Sequence, residues 1–193
     1  MFRFGLAKVC GLGLALSISY LSEAATTVLV DHTDPWHYHK GTNAPVANWR
    51  TVDAGDLDST WSIGPGGFGY GDGDDATVLS DMQNRYTTVF IRQEFTVASP
   101  LDPASFLSLV VNYDDGFVAY LDGTEIARAN APGAVGSPIS HTALASGGHE
   151  AGTPNTYGLG AVGSRLGLGT HVLALIGLND DSNSSDLTLI ADL

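Results

Sequence analysis

A short stretch near the middle of the chain has the pattern of a β-hairpin. Two runs of alternating apolar residues, 117–121 and 124–128, are separated only by the dipeptide Asp122-Gly123. Asp-Gly suits a two-residue type I′ turn, because Gly123 adopts a positive φ at little cost. The chain is thereby restricted to folds that contain antiparallel β-sheet.

Other strand candidates recur along the chain, separated by Gly, Pro, Asp, Asn and Ser. Residues 88–97 alternate best, and no window after residue 25 keeps a helical apolar period. Short strands with turn residues between them predict an all-β fold, an antiparallel β-sandwich of the jelly-roll kind, rather than a βαβ architecture. The further strand candidates are 27–30, 36–39, 105–111, 171–178 and 186–193.

Two long segments lack clear strand patterns. Residues 43–77 are rich in Gly and Asp but contain four aromatic residues, so we expect an ordered loop packed against the edge of the sandwich. Residues 129–163 are rich in Gly, Ala, Ser and Pro and have few apolar anchors, so we expect a mobile excursion.

The first 25 residues have the features of a secretory signal peptide. Arg3 and Lys8 precede an apolar run over residues 9–21, and Ser22-Glu23-Ala24 resembles a cleavage site. The run is too short to span a bilayer. We therefore expect a secreted protein, extracellular or periplasmic, with one domain over residues 26–193 and no membrane insertion after cleavage.

The composition of the expected mature chain limits its partners. The only cysteine, Cys10, lies in the signal segment, so the mature chain forms no disulfide. The 21 acidic and 8 basic residues fall to 20 and 6 when Arg3, Lys8 and Glu23 are removed. Such a surface repels nucleic acid and anionic membranes and is compatible with divalent cations and neutral ligands. Solubility outside the cell explains the charge equally well.

Two acidic clusters are candidate calcium sites. Asp72, Asp74 and Asp75 follow a Gly-Tyr-Gly sequence, and Asp114 and Asp115 are adjacent at the start of the hairpin strand. Calcium takes about six to eight oxygen ligands, often from closely spaced Asp residues. Adjacent carboxylates also repel unless a cation or donors hold them. The competing interpretations are a solvated acidic turn at 72–75 and turn chemistry at 114–116.

The remaining candidates are weaker. His37 and His39 would share one face of a strand, but no third zinc ligand is evident, so we favour histidines on the polar face of an edge strand. Residues 64–69 match G-x-G-x-x-G without the βαβ unit that a nucleotide site needs. The mature chain shows none of the common hydrolase motifs and no cysteine nucleophile, so we expect no enzymatic activity.

These residues together resemble the galactose-binding-like (jelly-roll) β-sandwich domain of secreted bacterial proteins. The resemblance covers nearly the whole mature chain, in order. It is carried by residues 36–41, Trp49, residues 61–72, residues 86–95, residues 113–128, residues 168–175 and residues 184–189.

The resemblance implies a non-catalytic module that binds a carbohydrate or cell-surface glycan, with a structural Ca²⁺ and with neighbouring domains in a longer parent protein. Asp114 and Asp115 would coordinate the cation or accept sugar hydroxyl protons. Arg128 would donate to a hydroxyl or hold Asp115. The residues expected to offer a stacking face are Trp61, Tyr70 and Tyr113. Two alternatives remain open: a structural or adhesion module without a small ligand, and a hydrolase acting on polysaccharide.

Overall fold

The computed structural model describes residues 26–193, which form two stacked β-sheets; the expected signal peptide lies outside the described residues. In order across the six-stranded antiparallel sheet lie β2 (Ser62–Pro65), β1 (Pro35–Lys40), β5 (Thr88–Val97), β10 (Gly169–Leu178), β7 (Gly116–Leu121) and β8 (Thr124–Ala129). The five-stranded sheet contains β4 (Thr77–Val78), β3 (Phe68–Tyr70), β11 (Leu187–Asp192), β6 (Phe106–Asp114) and β9 (Asn155–Ala161).

The predicted all-β sandwich is confirmed. Every strand pair is antiparallel except β3 and β4, which are parallel. Two short 3₁₀ helices, Ala54–Asp56 and Val162–Ser164, lie in connections. No helix within residues 26–193 is long and apolar enough to cross a membrane.

The predicted hairpin is confirmed as well. Strands β7 and β8 are joined by Asp122 and Gly123, with φ of 50° and 77°, as a type I′ turn requires. The Asp122 side chain fixes this turn to the neighbouring strand β10. Its Oδ1 accepts the Val172 N–H at 2.9 Å, and its Oδ2 lies 2.8 Å from Nδ1 of His171.

One strand prediction and two loop predictions need correction. Residues 27–30 form no strand; Leu29 and Val30 donate backbone hydrogen bonds to the Leu193 carbonyl instead. The segment 43–77 contains β2, β3 and β4 and is not one loop. The segment 129–163 contains β9, which pairs with β6 and is therefore not part of an irregular excursion. Gly158 and Gly160 interrupt the side-chain alternation that would have marked β9.

Apolar side chains fill two regions. The main core lies between the sheets. A second cluster covers the outer face of the six-stranded sheet, where Trp49 packs on Phe90 and Tyr120 and Trp61 packs on Trp49. Buried Arg92 anchors this segment, because its Nη1 donates to the carbonyls of Trp49 and Val52 at 3.2 and 2.5 Å.

The chain passes from one sheet to the other at Asp115. Strand β6 ends at Asp114 in the five-stranded sheet, and β7 begins at Gly116 in the six-stranded sheet. The two acidic residues therefore occupy a crossing at one end of the sandwich, and this position determines what each carboxylate contacts.

Candidate cation-binding site

Asp114 is the buried member of an acidic cluster on the outer face of the five-stranded sheet. Its neighbours in β6, Val111 and Tyr113, face the core, and Asp114 faces the opposite way. Carboxylate oxygens of Asp114, Glu150 and Asp186 all lie within 4.8 Å of one another. Asp114 is 5% exposed, Asp186 is half-buried and Glu150 is exposed, so the cluster opens to solvent on the Glu150 side.

The electrostatics of the cluster disfavour an ionised Asp114. Burial, followed by the charges of Asp115, Asp186 and Glu150, raises the pKa of Asp114 to about 7, although the Ala151 N–H opposes the shift. An oxygen-preferring cation would reverse this balance by neutralising the converging carboxylates. The arrangement therefore suits Ca²⁺ chemically.

Asp115 has a different role from Asp114. Its Oδ1 accepts the His149 N–H at 3.1 Å and its Oδ2 accepts the Asp180 N–H at 2.8 Å. The Asn130 side chain donates to the Asp115 carbonyl at 2.9 Å. Asp115 thus ties the β8–β9 connection to the β10–β11 connection, and the structure does not place it in the three-carboxylate cluster with Asp114.

The second predicted cluster also forms. Oxygens of Asp72, Asp74 and Asp75 lie within 4.8 Å of one another in the connection after β3. Burial first, and then the charges of Asp72 and Asp74, raise the pKa of Asp75 to about 7. Glycine is required beneath this loop, since a Cβ at Gly69 would overlap Asp75 Oδ1 and the Leu187 carbonyl oxygen.

A single strand separates the two clusters. Thr188 of β11 pairs with Asp114 of β6 on one side and with Gly69 of β3 on the other. Its hydroxyl donates to Asp72 Oδ2 at 3.0 Å. The Asp72–Asp75 cluster and the Asp114 cluster therefore lie on either side of β11.

The aromatic candidates do not offer open stacking faces. Trp61, Tyr70 and Tyr113 are at most 9% exposed. The Tyr70 hydroxyl donates to the Ser184 carbonyl at 2.8 Å, and Tyr113 stacks on His149 with ring centroids 4.1 Å apart. The expectation that these planes receive a sugar ring lacks the accessible surface it needs.

Arg128 contacts Glu125 and not Asp115. Its Nε and Nη2 donate to the two Glu125 oxygens at 2.6 and 2.8 Å, and its Nη1 donates to the carbonyls of Pro132 and Gly133. Both side chains are largely buried, so the pair fixes the segment after β8. The expectation that Arg128 holds Asp115 is therefore wrong.

The two histidines of β1 share one face of the strand, as expected, but the expectation that this strand lies at the edge of the sheet is wrong. Strand β1 lies between β2 and β5 and is not an edge strand. His39 is 1% exposed, packed against Trp61 and Phe90. Among the described residues, neither His37 nor His39 belongs to a group of three side chains that could hold a metal ion. Besides the two acidic clusters above, one further group of this kind is formed by Asp31, His32 and Asp192.

Sequence reasoning missed Glu150 and Asp186. Glu150 lies in a segment without pattern, and Asp186 immediately precedes β11. The sequence shows only that Asp186 precedes an apolar strand. Asp186 comes close to Asp114 because of the register between β6 and β11, and no local sequence pattern specifies that register.

Comparison with known proteins gives structural likeness only. No protein-family model matches the sequence, and no curated protein matches it. Similar solved structures include a β-glucuronidase of Faecalibacterium prausnitzii, with 14% identity, a TM-score of 0.45, and coverage of 82% of this chain and 22% of that chain. A structure described as a calcium binding mutant of Bacteroides uniformis β-glucuronidase 2 shares 13% identity, with a TM-score of 0.44 and coverage of 85% of this chain and 18% of that chain.

A β-glucuronidase of an uncultured Clostridium species is similar to the same degree, with 16% identity, a TM-score of 0.45, and coverage of 84% of this chain and 24% of that chain. The chain thus spans about a fifth of the length of these proteins.

Proposed function

We propose that the chain is a secreted, non-catalytic module that binds Ca²⁺ through Asp114, Glu150 and Asp186 and uses the bound ion to engage a carbohydrate. The observation that carries the proposal is the convergence of three carboxylates from distant parts of the chain around the buried Asp114. Structural acidic turns rarely bury a carboxylate beside two others, because desolvation and repulsion then add.

The geometry leaves coordination positions open. Three carboxylates supply part of the roughly six to eight oxygens that Ca²⁺ takes. The remaining positions face solvent on the side of exposed Glu150. Waters or paired hydroxyl groups of a sugar would complete the shell there. A shallow, wet site of this kind binds weakly, which suits a module that works beside other domains.

The alternative hydrolase function has one observation in its favour. Asp114 has a pKa of about 7 and lies close to two further carboxylates, as a general acid beside a nucleophile does. Against it, Asp114 is 5% exposed, so a glycosidic oxygen of a polymer has little access to its proton. We therefore favour binding without turnover.

Affinity electrophoresis on a panel of neutral and acidic polysaccharides tests the proposal. Retardation of the wild-type protein in calcium that disappears in EDTA supports it, provided that no reducing ends are released. Asp114→Asn should lose the retardation, whereas Asp56→Asn, an equal charge change at an exposed position near the other sheet, should keep it.

Three results distinguish the alternatives. Calcium that raises the melting temperature without retardation on any polysaccharide indicates a structural or adhesion role. Release of reducing ends that Asp114→Asn abolishes indicates a hydrolase. If EDTA leaves the retardation unchanged, the protein binds the polysaccharide without calcium, and the calcium part of the proposal is wrong.

A further inference from the structure

Four strands lie at the edges of the two sheets within residues 26–193: β2 and β8 in one sheet, β4 and β9 in the other. An edge strand presents unpaired backbone N–H and C=O groups, and folded proteins usually protect it by short length, proline, charge or a covering loop. Strand β4 has two residues, and β2 has four and ends in Pro65. In β8 the charged pair of Glu125 and Arg128 also binds the backbone of the segment 132–137. These three edges are therefore protected.

Strand β9 lacks these protections. It has seven residues, none of them charged or proline, and within the described residues it pairs with β6 along one side only. A register shift opposite Leu107 and Ser108 disturbs its second half. Residues 155–158 pair with β6 in regular register, so their outward backbone groups form an edge that another strand can extend.

Large apolar side chains flank this edge on both faces of the sheet. Phe106 begins β6 opposite Ala161 and is 82% exposed; it faces away from the core, because its neighbour Leu107 faces into it. On the other face, a cleft of about 300 Å³ between β8 and β9 is lined by Tyr157 and by Val135, which is 76% exposed. Phe106 and Val135 are the two most exposed large apolar side chains of the described residues. Exposed apolar surface beside an open edge marks an interaction site.

The charge of the chain selects the partner. The formal net charge is −13, so two copies repel each other across most of their surfaces. When a strand pairs with its own copy about a two-fold axis, a charged residue near the axis meets the same charge on the partner, which destabilises the pair. Strand β9, Phe106 and Val135 carry no charge. The repulsion that opposes association elsewhere is therefore absent at this edge.

We propose that the protein forms a dimer in which β9 of one protomer pairs antiparallel with β9 of its partner, about a two-fold axis normal to the sheet. The two five-stranded sheets then join into one continuous sheet, and Phe106 and Val135 of each protomer lie beside the junction. An interface built on a few strand residues is small, so the dimer is weak and depends on protein concentration. It uses neither Asp114 nor a cation and is independent of the calcium-dependent function proposed above.

Sedimentation equilibrium in EDTA, at protein concentrations up to about 1 mM, tests the inference. A monomer–dimer equilibrium should appear, and added salt should strengthen the dimer because it screens the repulsion between two acidic protomers. Thr156→Lys places a charge close to its own copy and should weaken the dimer about tenfold or more. Thr170→Lys makes the same charge change at an exposed threonine on the outer face of the six-stranded sheet and should leave the dimer unchanged. Both positions are exposed, so neither change should alter the melting temperature of the monomer.

Cysteine crosslinking locates the interface. The expected mature chain has no cysteine, so a single introduced cysteine forms a disulfide only between protomers. With a two-fold axis normal to the sheet, one residue of β9 lies opposite its own copy, within the distance that a disulfide spans. Oxidation should therefore crosslink at least one of four variants that carry single cysteines at residues 155–158. Ser62→Cys, at an exposed position of the protected edge strand β2, should stay monomeric.

Three results would overturn the inference. A protein that stays monomeric at about 1 mM in both low and high salt does not pair through β9. A dimer that Thr156→Lys leaves intact uses another surface, and so does a dimer that no cysteine at residues 155–158 crosslinks. Because every measurement is made in EDTA, a failure here leaves the calcium proposal standing, and failure of that proposal does not affect this one.

Discussion

Asp114 and Thr188 are direct cross-strand partners on the outer face of the five-stranded sheet. The Thr188 hydroxyl donates to Asp72, so one buried threonine connects the 72–75 loop to the strand beside Asp114. On each side of β11 one carboxylic acid, Asp75 or Asp114, has a pKa of about 7. The face is therefore built around two carboxyl groups whose charge is unfavourable without a cation.

Replacing Asp114 by Asn should stabilise the calcium-free protein at neutral and alkaline pH. The pKa of Asp114 is about 7 in the folded protein against 3.8 ordinarily, so its contribution to stability is present below about pH 4 and is lost as the pH rises through 7. Asparagine does not ionise and avoids this loss.

We expect a gain on the order of 2 kcal/mol at about pH 8 in EDTA, measured by urea denaturation. Below about pH 4 the advantage should disappear. An equal difference between variant and wild type across the whole range would contradict the ionisation of Asp114 as its cause.

The two clusters should act independently. Asp75→Asn should raise the free energy of unfolding over the same pH window, because burial and its acidic neighbours also raise the pKa of Asp75. In the double variant with Asp114→Asn the two gains should add within about 0.5 kcal/mol. A larger coupling energy in EDTA would mean that the two carboxylates interact electrostatically across β11.

Breaking the Glu125–Arg128 pair should loosen the segment after β8. Glu125 accepts both Arg128 donors and also the Gly136 N–H, so Glu125→Ala leaves a largely buried guanidinium without its carboxylate. We expect a loss of about 3 kcal/mol and faster proteolysis near Gly136. The exposed Arg85, which pairs with the half-buried Asp81, provides the control, because Arg85→Gln should cost less than about 1 kcal/mol.

The hairpin turn should make stability depend on the ionisation of His171. Burial lowers the pKa of His171, but the hydrogen bonds with Asp122 and the Gly167 carbonyl outweigh it, so the folded pKa is raised above 6.5. The stabilisation is full below about pH 6.5 and is lost as the pH rises through the folded value. Asp122→Asn keeps a residue that tolerates positive φ but removes the carboxylate beside His171. In melting temperatures measured over a series of pH values, the variant should therefore lose less stability than wild type as the pH rises.

Strand β5 and the β7–β8 hairpin were predictable because they rest on local patterns. Residues 88–97 alternate in the sequence and form β5 with the same bounds. Strand β9 was not predictable, since its glycines remove the alternation and its pairing with β6 contains a register shift. Local rules have no access to such a pairing.

The candidate site was predictable only in part. Acidic pairs at 72–75 and 114–115 are visible in the sequence, but the different roles of Asp114 and Asp115 follow from the crossing between sheets. The burial of Trp61 follows from packing of the segment 43–61 on the six-stranded sheet. Neither depends on neighbouring residues in sequence.

Calcium titration by isothermal calorimetry tests the central claim most directly. The wild-type protein should bind Ca²⁺ saturably, Asp114→Asn should lose the binding event assigned to Asp114, Glu150 and Asp186, and Asp56→Asn should retain it. Equal calcium binding by wild type and Asp114→Asn, or no binding by the wild type, would contradict the account.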